Sequence, residues 1–445
     1  MVEVSIYLSL IWDLFWQYLI SWYWLFLAII LLKYEYGFLF AWHWWRYQTR
    51  YISAQTPKWC EIKLPKDIVK PISAMEMVLE NMWRGAWELP YFWEYWWQGR
   101  PPTFDFQFEL VSDGGKITFY LRYFLGYKID VLKRAIWSQY PEVEIREVED
   151  YSRAIPVDLP RKGWDVRGCD FTLARPDAYP INTYPYFEKE VEVTIPTGEE
   201  RRKIDPMAML LENLTQIGPG EKIWVQIKPF PIGGKLEKPY IKSAQELKNK
   251  IAGRKVEKQK SWLESLGDLI TGKRAVEAPG KIELEAPELR MTPREREICA
   301  AIERKFSKSL FLISTIRFMY FAKREVYNYH RYRQMLDFMG SFSTTDMNSF
   351  KLIRQTFTKI VNPPPLNLFD KRRLYVRKRR IIRLYQNRYE PKYPFGGDYK
   401  WGYFVLNTEE LATVFHFPSR VLAPVSGLTR VEIKKAEAPP EVPME

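Results

Sequence analysis

The densest group of side chains able to bind a charged partner lies late in the sequence. Residues 371–388, KRRLYVRKRRIIRLYQNR, combine nine basic residues with Leu, Val, Ile and Tyr. The basic residues are Lys371, Arg372, Arg373, Arg377, Lys378, Arg379, Arg380, Arg383 and Arg388. The pattern predicts a strand or helix with one apolar and one basic face, able to contact nucleic-acid phosphates or acidic lipid. A packed element whose basic face is merely solvated fits the pattern equally well.

Residues suited to catalysis or metal binding are scattered. The three cysteines lack CxxC spacing, the three histidines share no metal-binding spacing, and no nucleophile can be paired with a base. Gly267 to Lys273 have the GxxxxGK spacing of a phosphate-binding loop. However, Arg274 stands where a serine or threonine would hold magnesium, so we interpret the match as coincidence. We therefore expect no enzyme activity, no metal site and no cofactor.

The overall composition is that of a folded, basic protein. Aromatic residues make up 16% of the 445 residues, which excludes a disordered chain because such side chains bury large areas when they pack. With 67 basic and 54 acidic residues, the net charge is +13. This excess favours an anionic partner, either a nucleic acid or the acidic lipid of an inner leaflet.

An apolar segment near the N-terminus predicts a membrane anchor. Residues 14–32 contain no charged side chain, and a helix of this length crosses roughly 30 Å, the thickness of the hydrocarbon core. Basic residues after the segment, among them Lys33 and Arg46, favour a single-pass inner-membrane protein with a cytoplasmic body. A cleaved signal peptide is the alternative, but no basic region precedes the segment.

Periodic patterns after the apolar segment predict an α+β body. A helix is expected to begin at Ser73, with Glu76 completing a capping box, and a turn at residues 113–115 (Asp-Gly-Gly) is expected to join two strands of alternating polarity. The predicted elements are a helix at 73–84, strands at 104–112 and 116–123, a helix at 129–139 and a strand at 143–148.

The same order of elements is predicted a second time. Residues 206–214, PMAMLLENL, match residues 74–82, AMEMVLENM, at five positions that lie 132 residues apart. A strand at 222–230, a return strand at 309–322 and a helix at 324–338 complete the second copy. We interpret the match as an internal duplication, although chance similarity of two amphipathic helices gives the same pattern.

These patterns together predict the fold class. It is α+β, with an N-terminal transmembrane helix followed by two tandem ferredoxin-like α/β sandwich domains with antiparallel sheets. The predicted parts are an extracytoplasmic N-terminus at 1–13, the transmembrane helix at 14–32, an aromatic juxtamembrane segment and linker at 33–62, a first domain at 63–200, a second domain at 201–230 and 291–430, a charged mobile insertion at 231–290, and a flexible tail at 431–445.

Several segments, in their order along the chain, resemble an uncharacterised bacterial membrane-protein family. They include KPISAMEMVLENMWRG at 70–85, FDFQFELVSDGGKITFYLR at 104–122 and, most specifically, FVLNTEELATVFHFP at 404–418. In longer related chains this region precedes a P-loop ATPase domain of the conjugation and type IV secretion class. No such domain is found in this sequence, so motor activity is not carried over.

The resemblance implies a non-catalytic, membrane-anchored scaffold component of a type IV secretion or conjugation-like machine that docks a separately encoded P-loop ATPase. Candidate docking residues are Asn407, Thr408, Glu409, Glu410 and His416, although a capped helix that simply closes the domain explains the same segment. The second hypothesis is a membrane-tethered module that binds nucleic acid through residues 371–388. The expected partners are the membrane, the ATPase, DNA or acidic lipid, and a second copy of the chain.

Overall fold

The computed structural model describes most of the chain. The described residues are 11–18, 20–23, 25, 42, 45–47, 49–65, 68, 70–100, 105–190, 205–253, 291–360, 363, 366–389, 391 and 403–418. Their contacts form two compact units, one from the ranges 1–56 and 88–102 and the other from 57–87 and 103–445.

The smaller unit contains the segment predicted to cross a membrane. Within the described residues, no helix is long and apolar enough to span a bilayer. Within the predicted segment, residues 14–18, 20–23 and 25 are described. Residues 26–32 lie outside the described part of the chain. The prediction of a transmembrane helix is therefore wrong.

The larger unit contains the sheet and the helices that pack on it. The strands are β1 (Lys58–Lys63), β2 (Phe106–Asp113), β3 (Lys116–Tyr123), β4 (Glu144–Val148), β5 (Trp164–Leu173), β6 (Glu221–Ile232), β7 (Leu310–Lys323), β8 (Phe350–Leu352) and β9 (Phe404–Asn407). The helices are α1 (Ile72–Ala86), α2 (Ile129–Trp137), α3 (Tyr184–Glu190), α4 (Pro206–Thr215), α5 (Lys238–Ile251), α6 (Pro293–Phe306), α7 (Arg331–Ser341), α8 (Asp370–Gln386) and α9 (Thr408–Val414).

The nine strands described form one antiparallel sheet. Its order is β4-β1-β3-β2-β6-β7-β5-β8, and β9 also pairs with β7. Strand β7 has 14 residues, so β9 pairs with its first part, Leu310 to Ile313, while β5 pairs with its second part. Strand β7 is thus long enough to pair with β5 and also with β9, the segment 404–407.

The two halves of the sheet repeat one topology. Read from the outer edge, the first half runs β4-β1-β3-β2 and the second runs β8-β5-β7-β6. Helices α1 and α4, which contain the matched residues, each precede the inner hairpin of their half. The halves join where β2 pairs with β6, with Leu110 opposite Val225.

This junction corrects the prediction of two separate tandem domains. An inner edge strand left alone would expose unpaired backbone N–H and C=O groups. Here β2 and β6 satisfy each other along six residue pairs, from Phe108 opposite Ile227 to Asp113 opposite Lys222. The result is a single continuous sheet rather than two domains.

The two faces of the sheet are covered differently. On one face, Phe108, Leu110 and Ile316 surround the same small cavity as Met207 of α4 and Phe338 of α7. Side chains alternate between faces along a strand, so Glu109 and Val111 point to the opposite face, where α8 lies. We call this second surface the open face; among the described residues, α8 and side chains of the segment between β4 and β5 cover it.

The insertion predicted at 231–290 is partly described. It begins with the end of β6 and continues into α5, which packs against α6 through Ala244 and Ile302. The remainder, 254–290, lies outside the described residues, and so do the GxxxxGK match and the tail at 431–445.

Candidate functional site

Residues 371–388, predicted to form a strand or a helix, belong almost entirely to α8 on the open face. The inward side chains of the helix, Ile381, Ile382 and Tyr385, are buried. They form one cluster with apolar side chains of four strands, namely Val111, Val166, Trp224, Met319 and Phe321. This apolar contact positions the helix across the centre of the sheet.

Gly168 of β5 sets how closely α8 approaches. A β-carbon at this position would lie 2.7 Å from Ile381 Cδ1 and 2.9 Å from the carbonyl oxygen of Phe318. The first neighbour is the end of a side chain and can move, but the second belongs to the backbone of β7. Any larger residue would therefore push the helix or the strand away.

Arg388 anchors the chain just after α8 ends. Its guanidinium pairs with Glu109 of β2 at 3.1 Å and with Asp150, which follows β4, at 2.6 Å. Its backbone is left-handed, with φ of 56°, which is uncommon for a residue with a side chain and requires strong surrounding contacts. Burial alone would lower the pKa of this guanidinium, but Glu109 and Asp150 raise it above its ordinary value.

Two tyrosines extend the contacts of Glu109. The Tyr151 hydroxyl donates to Glu109 Oε2 at 2.9 Å, and the Tyr385 hydroxyl lies 2.5 Å from that of Tyr151. Burial, with a further contribution from the Glu109 carboxylate, raises the pKa of both phenols well above the ordinary value. Both phenols therefore stay neutral and serve as hydrogen-bonding groups.

Polar contacts continue from Glu109 across the junction of the two halves. Gln226 of β6 donates to Glu109 at 2.8 Å and accepts from Arg317 of β7 at 3.4 Å. Arg317 also pairs with Asp170 of β5 at 2.7 Å, and neither of these two side chains is exposed. One chain of polar contacts thus crosses four adjacent strands.

Asp105 holds a further group of buried charges. It lies 3.1 Å from Arg122 and 3.7 Å from Lys228. Burial works to raise the pKa of Asp105, but the two cations outweigh it and lower that pKa. Lys228 also donates to the carbonyl oxygen of Arg388 at 3.0 Å, which links this group to the preceding one.

We call these residues the polar-face network: Asp105, Glu109, Arg122, Asp150, Tyr151, Asp170, Gln226, Lys228, Arg317, Tyr385 and Arg388. Each acid in it has a basic partner in it. Catalysis by proton transfer needs an acid or base whose pKa lies near the working pH. In this network nearby cations outweigh burial and lower the pKa of Asp105 and Asp150, while burial raises the pKa of the Tyr151 and Tyr385 phenols, so these pKa values move away from neutral pH. The arrangement is thus suited to holding elements together.

The nine basic residues predicted to contact an anion divide into two groups. Five are engaged within the chain: Arg388 in the network, Lys378 with Asp165, Arg379 with Asp158, and Arg377 and Arg380 with backbone carbonyl oxygens. The other four are exposed and have no ion-pair partner in the part of the chain that the structure describes, namely Lys371, Arg372, Arg373 and Arg383. Four of the nine predicted residues are thus available to a partner.

The predicted docking segment is buried. Asn407 caps α9 by accepting a hydrogen bond from the Glu410 amide at 2.8 Å, and the Glu410 side chain accepts one from the Asn407 amide at 2.9 Å. Glu410 also pairs with Lys305 at 3.1 Å, with neither side chain exposed. Glu409 pairs with Arg304 and Lys308, and Thr408 contacts Glu76.

His416 completes this internal arrangement. Its Nε2 lies 2.7 Å from Asp205 Oδ1, just before α4, and its Nδ1 lies 2.9 Å from the carbonyl oxygen of Ala412. The five predicted docking residues are each at most 2% exposed. The structure gives them contacts inside the fold, as the alternative of a capped helix that closes the domain would require.

The sequence interpretation did not single out the centre of the network. Asp105, Gln107 and Glu109 alternate with phenylalanines, so a signal was present: these polar side chains share one strand face. The interpretation as a half-buried strand assigns that face to solvent. Arg317 carries a weaker signal, a charge in the interior of a mostly apolar strand, whereas Asp170 carries none, because Asp165 and Arg167 are charged in the same strand.

The structure is that of an α+β protein. Its antiparallel sheet consists of two halves with the same topology, helices pack on this sheet, and the polar-face network lies at its centre. A family model described as a domain of unknown function, DUF8128, matches residues 97–423. The chain belongs to this family. Nothing among curated proteins or solved structures matches it.

Proposed function

We propose that this chain is a non-catalytic scaffold subunit of a type IV secretion or conjugation-like machine that docks a separately encoded P-loop ATPase. Segments such as 70–85 and 404–418, which resemble the region preceding such ATPases in longer chains, support the proposal. An argument from resemblance alone is an analogy, so the scaffold role needs support from the site.

The polar-face network is the observation that carries the scaffold role. Its acids and bases neutralise each other at the centre of the sheet, in pairs such as Arg317–Asp170 that solvent does not reach. Losing one partner of such a pair is strongly destabilising because the other charge stays buried without a partner, so we infer that the network favours one arrangement of the strands. A rigid body that presents fixed surfaces is what a docking subunit requires.

The ATPase is expected to contact surface outside residues 407–416. The side chains predicted for docking are occupied by Lys305, Lys308 and Asp205, so a partner would have to open the fold to reach them. Exposed helices and loops of the larger unit offer a less costly contact.

Reconstitution with purified components tests the proposal. The full chain and a P-loop secretion ATPase from the same genome would be mixed after nuclease treatment, and binding measured by titration calorimetry. We expect a saturable complex and no ATP hydrolysis by the chain alone. An unrelated P-loop ATPase serves as the control. Hydrolysis by the chain would contradict the non-catalytic role, and equal binding of both ATPases, or of neither, would contradict specific docking.

A further inference from the structure

The outward side of α8 combines basic and apolar side chains. Phe369, Arg372, Val376 and Arg383 recur at helical spacing, and each is exposed. Leu368 is 77% exposed, Phe369 59% and Val376 54%. We call this surface the basic–apolar face; it comprises these four side chains together with Leu368, Lys371 and Arg373, which are exposed at the start of the helix.

Helix stability does not explain the charges of this face. Lys371, Arg372 and Arg373 follow Asp370 directly in the first turn of α8. Cations near a helix N-terminus oppose the helix dipole, which favours acids at that end. Three consecutive cations there weaken the helix, and none has an ion-pair partner among the described residues. Their position is better explained by an external anionic surface.

The apolar side chains indicate which anionic surface fits. Leu368 and Phe369 are adjacent and exposed where the chain enters α8, and only Asp370 separates them from the three cations. Nucleic-acid phosphates would satisfy the cations but give no burial to an aliphatic side chain, since phosphate contacts are polar. A bilayer offers both an anionic headgroup layer and an apolar interior within reach of one helical turn.

We propose that the basic–apolar face binds a bilayer surface containing anionic phospholipid. Leu368 and Phe369 enter the acyl-chain boundary, while Lys371, Arg372 and Arg373 contact headgroup phosphates. Lipid binding at this face is independent of ATPase docking, so either can fail without the other.

Vesicle binding by the full chain gives the first test. Flotation with equimolar phosphatidylcholine and phosphatidylglycerol vesicles would be compared with pure phosphatidylcholine vesicles. The variant Lys371→Gln/Arg372→Gln/Arg373→Gln should bind the anionic vesicles about 100-fold more weakly, as expected for three basic residues near a charged membrane. The control Lys116→Gln/Lys235→Gln/Lys250→Gln removes the same charge from exposed sites elsewhere and should bind like the wild type.

A local probe tests insertion even if other parts of the chain also bind lipid. The native cysteines Cys60, Cys169 and Cys299 are buried, so a new surface thiol can be labelled selectively. Leu368→Cys carrying an environment-sensitive fluorophore should shift its emission to shorter wavelength with anionic vesicles. Leu236→Cys, an exposed position at 37%, is the matched control and should not shift.

Three results would overturn the proposal. The first is no shift at position 368 with anionic vesicles, and the second is an equal shift with pure phosphatidylcholine. The third is salt-sensitive binding of duplex DNA that the triple variant abolishes while its vesicle binding stays unchanged. That last result would assign the face to nucleic acid. Failure of the calorimetric ATPase test would leave all three readouts unaffected.

Discussion

Arg388 is the residue through which α8 is fixed to both halves of the sheet. Its side chain pairs with Glu109 of β2, and its carbonyl oxygen accepts from Lys228 of β6. In Arg388→Gln, Glu109 and Asp150 would face each other without their cation. Removing one partner of a buried ion pair costs about 3–5 kcal/mol, so we expect the free energy of unfolding in urea to fall by this amount.

Arg383→Gln provides the matched control for Arg388→Gln. It makes the same substitution at an exposed position within α8. Surface changes of this kind usually alter the free energy of unfolding by less than about 0.5 kcal/mol. Similar effects of the two substitutions, followed by circular dichroism, would show that Arg388 does not anchor the helix.

His416 lies between two hydrogen-bond acceptors. The Ala412 carbonyl oxygen and the Asp205 carboxylate each contact one ring nitrogen, so both nitrogens are expected to carry protons. Burial favours the neutral ring, but the Asp205 carboxylate outweighs it and raises the pKa of His416 above 6.5. In the same pair, burial opposes the charge of Asp205, and His416 keeps the pKa of that carboxyl below 3.8.

These opposite shifts predict how stability depends on pH. A group whose pKa is raised by folding contributes fully below its unfolded value, here 6.5, and the contribution is lost as the pH rises through the folded-state value. The wild type should therefore lose stability on the alkaline side of pH 6.5, and His416→Gln should lack this loss. Urea midpoints measured across that range test the prediction. His330→Gln, which changes an exposed histidine, should keep the wild-type profile.

The network residues show what a sequence can and cannot indicate at this scale. Alternation places Glu109 on the face opposite Phe106 and Phe108, which is correct. Whether that face meets water depends on α8, which lies more than 250 residues later in the chain. Because strand patterns hold no information about a distant covering element, a buried charge network was interpreted as a solvated surface.

At the scale of elements, the contact between β5 and α8 depends on Gly168. Gly168→Ala would place a β-carbon 2.9 Å from the Phe318 carbonyl oxygen. Overpacking of this kind costs typically about 1–3 kcal/mol, which urea unfolding can measure. Gly340→Ala is the control, since a β-carbon there meets nothing within 4 Å. That change lies in α7 and should be neutral or stabilising by up to about 1 kcal/mol, because alanine favours helix. An equal loss in both variants would refute close packing at Gly168.

Local sequence patterns predicted the positions of the helices and strands well, but they predicted the ends of these elements less well. The strands β2 and β3 lie within two residues of the predicted ranges, because strict alternation is a strong local signal. Helix α1 instead begins at Ile72 without the predicted capping box. Glu76, expected to cap, pairs with Lys308 and accepts from Tyr184. Distant partners compete with a local cap, and a single sequence cannot rank them.

At the scale of the whole molecule, two expectations failed for physical reasons. An uncharged segment of sufficient length predicts a transmembrane helix, but no helix of the described residues is long and apolar enough to span a bilayer. The repeated element order predicts two units, but it does not indicate how their edges pair. The pairing of β2 with β6 decides that the halves share one sheet.

The shared sheet predicts that both halves unfold together. Chains of this size commonly unfold in several steps, so a single cooperative transition is a demanding expectation. The contacts that favour it are the β2–β6 pairing and the polar chain from Glu109 through Gln226 to Arg317, which crosses the junction. Native-state hydrogen exchange can compare β3, in the first half, with β5, in the second.

Leu110→Ala in β2 tests this coupling directly. Loss of a buried leucine side chain costs about 2–5 kcal/mol, and the opening free energy should fall by the same amount in β3 and in β5. Val376→Ala, at an exposed position of α8, should leave both strands unchanged. If β3 lost protection while β5 kept it, the halves would be independent domains that merely touch. Equal loss would instead mean that the β2–β6 junction carries stability from one copy of the duplication to the other, as a rigid docking body requires.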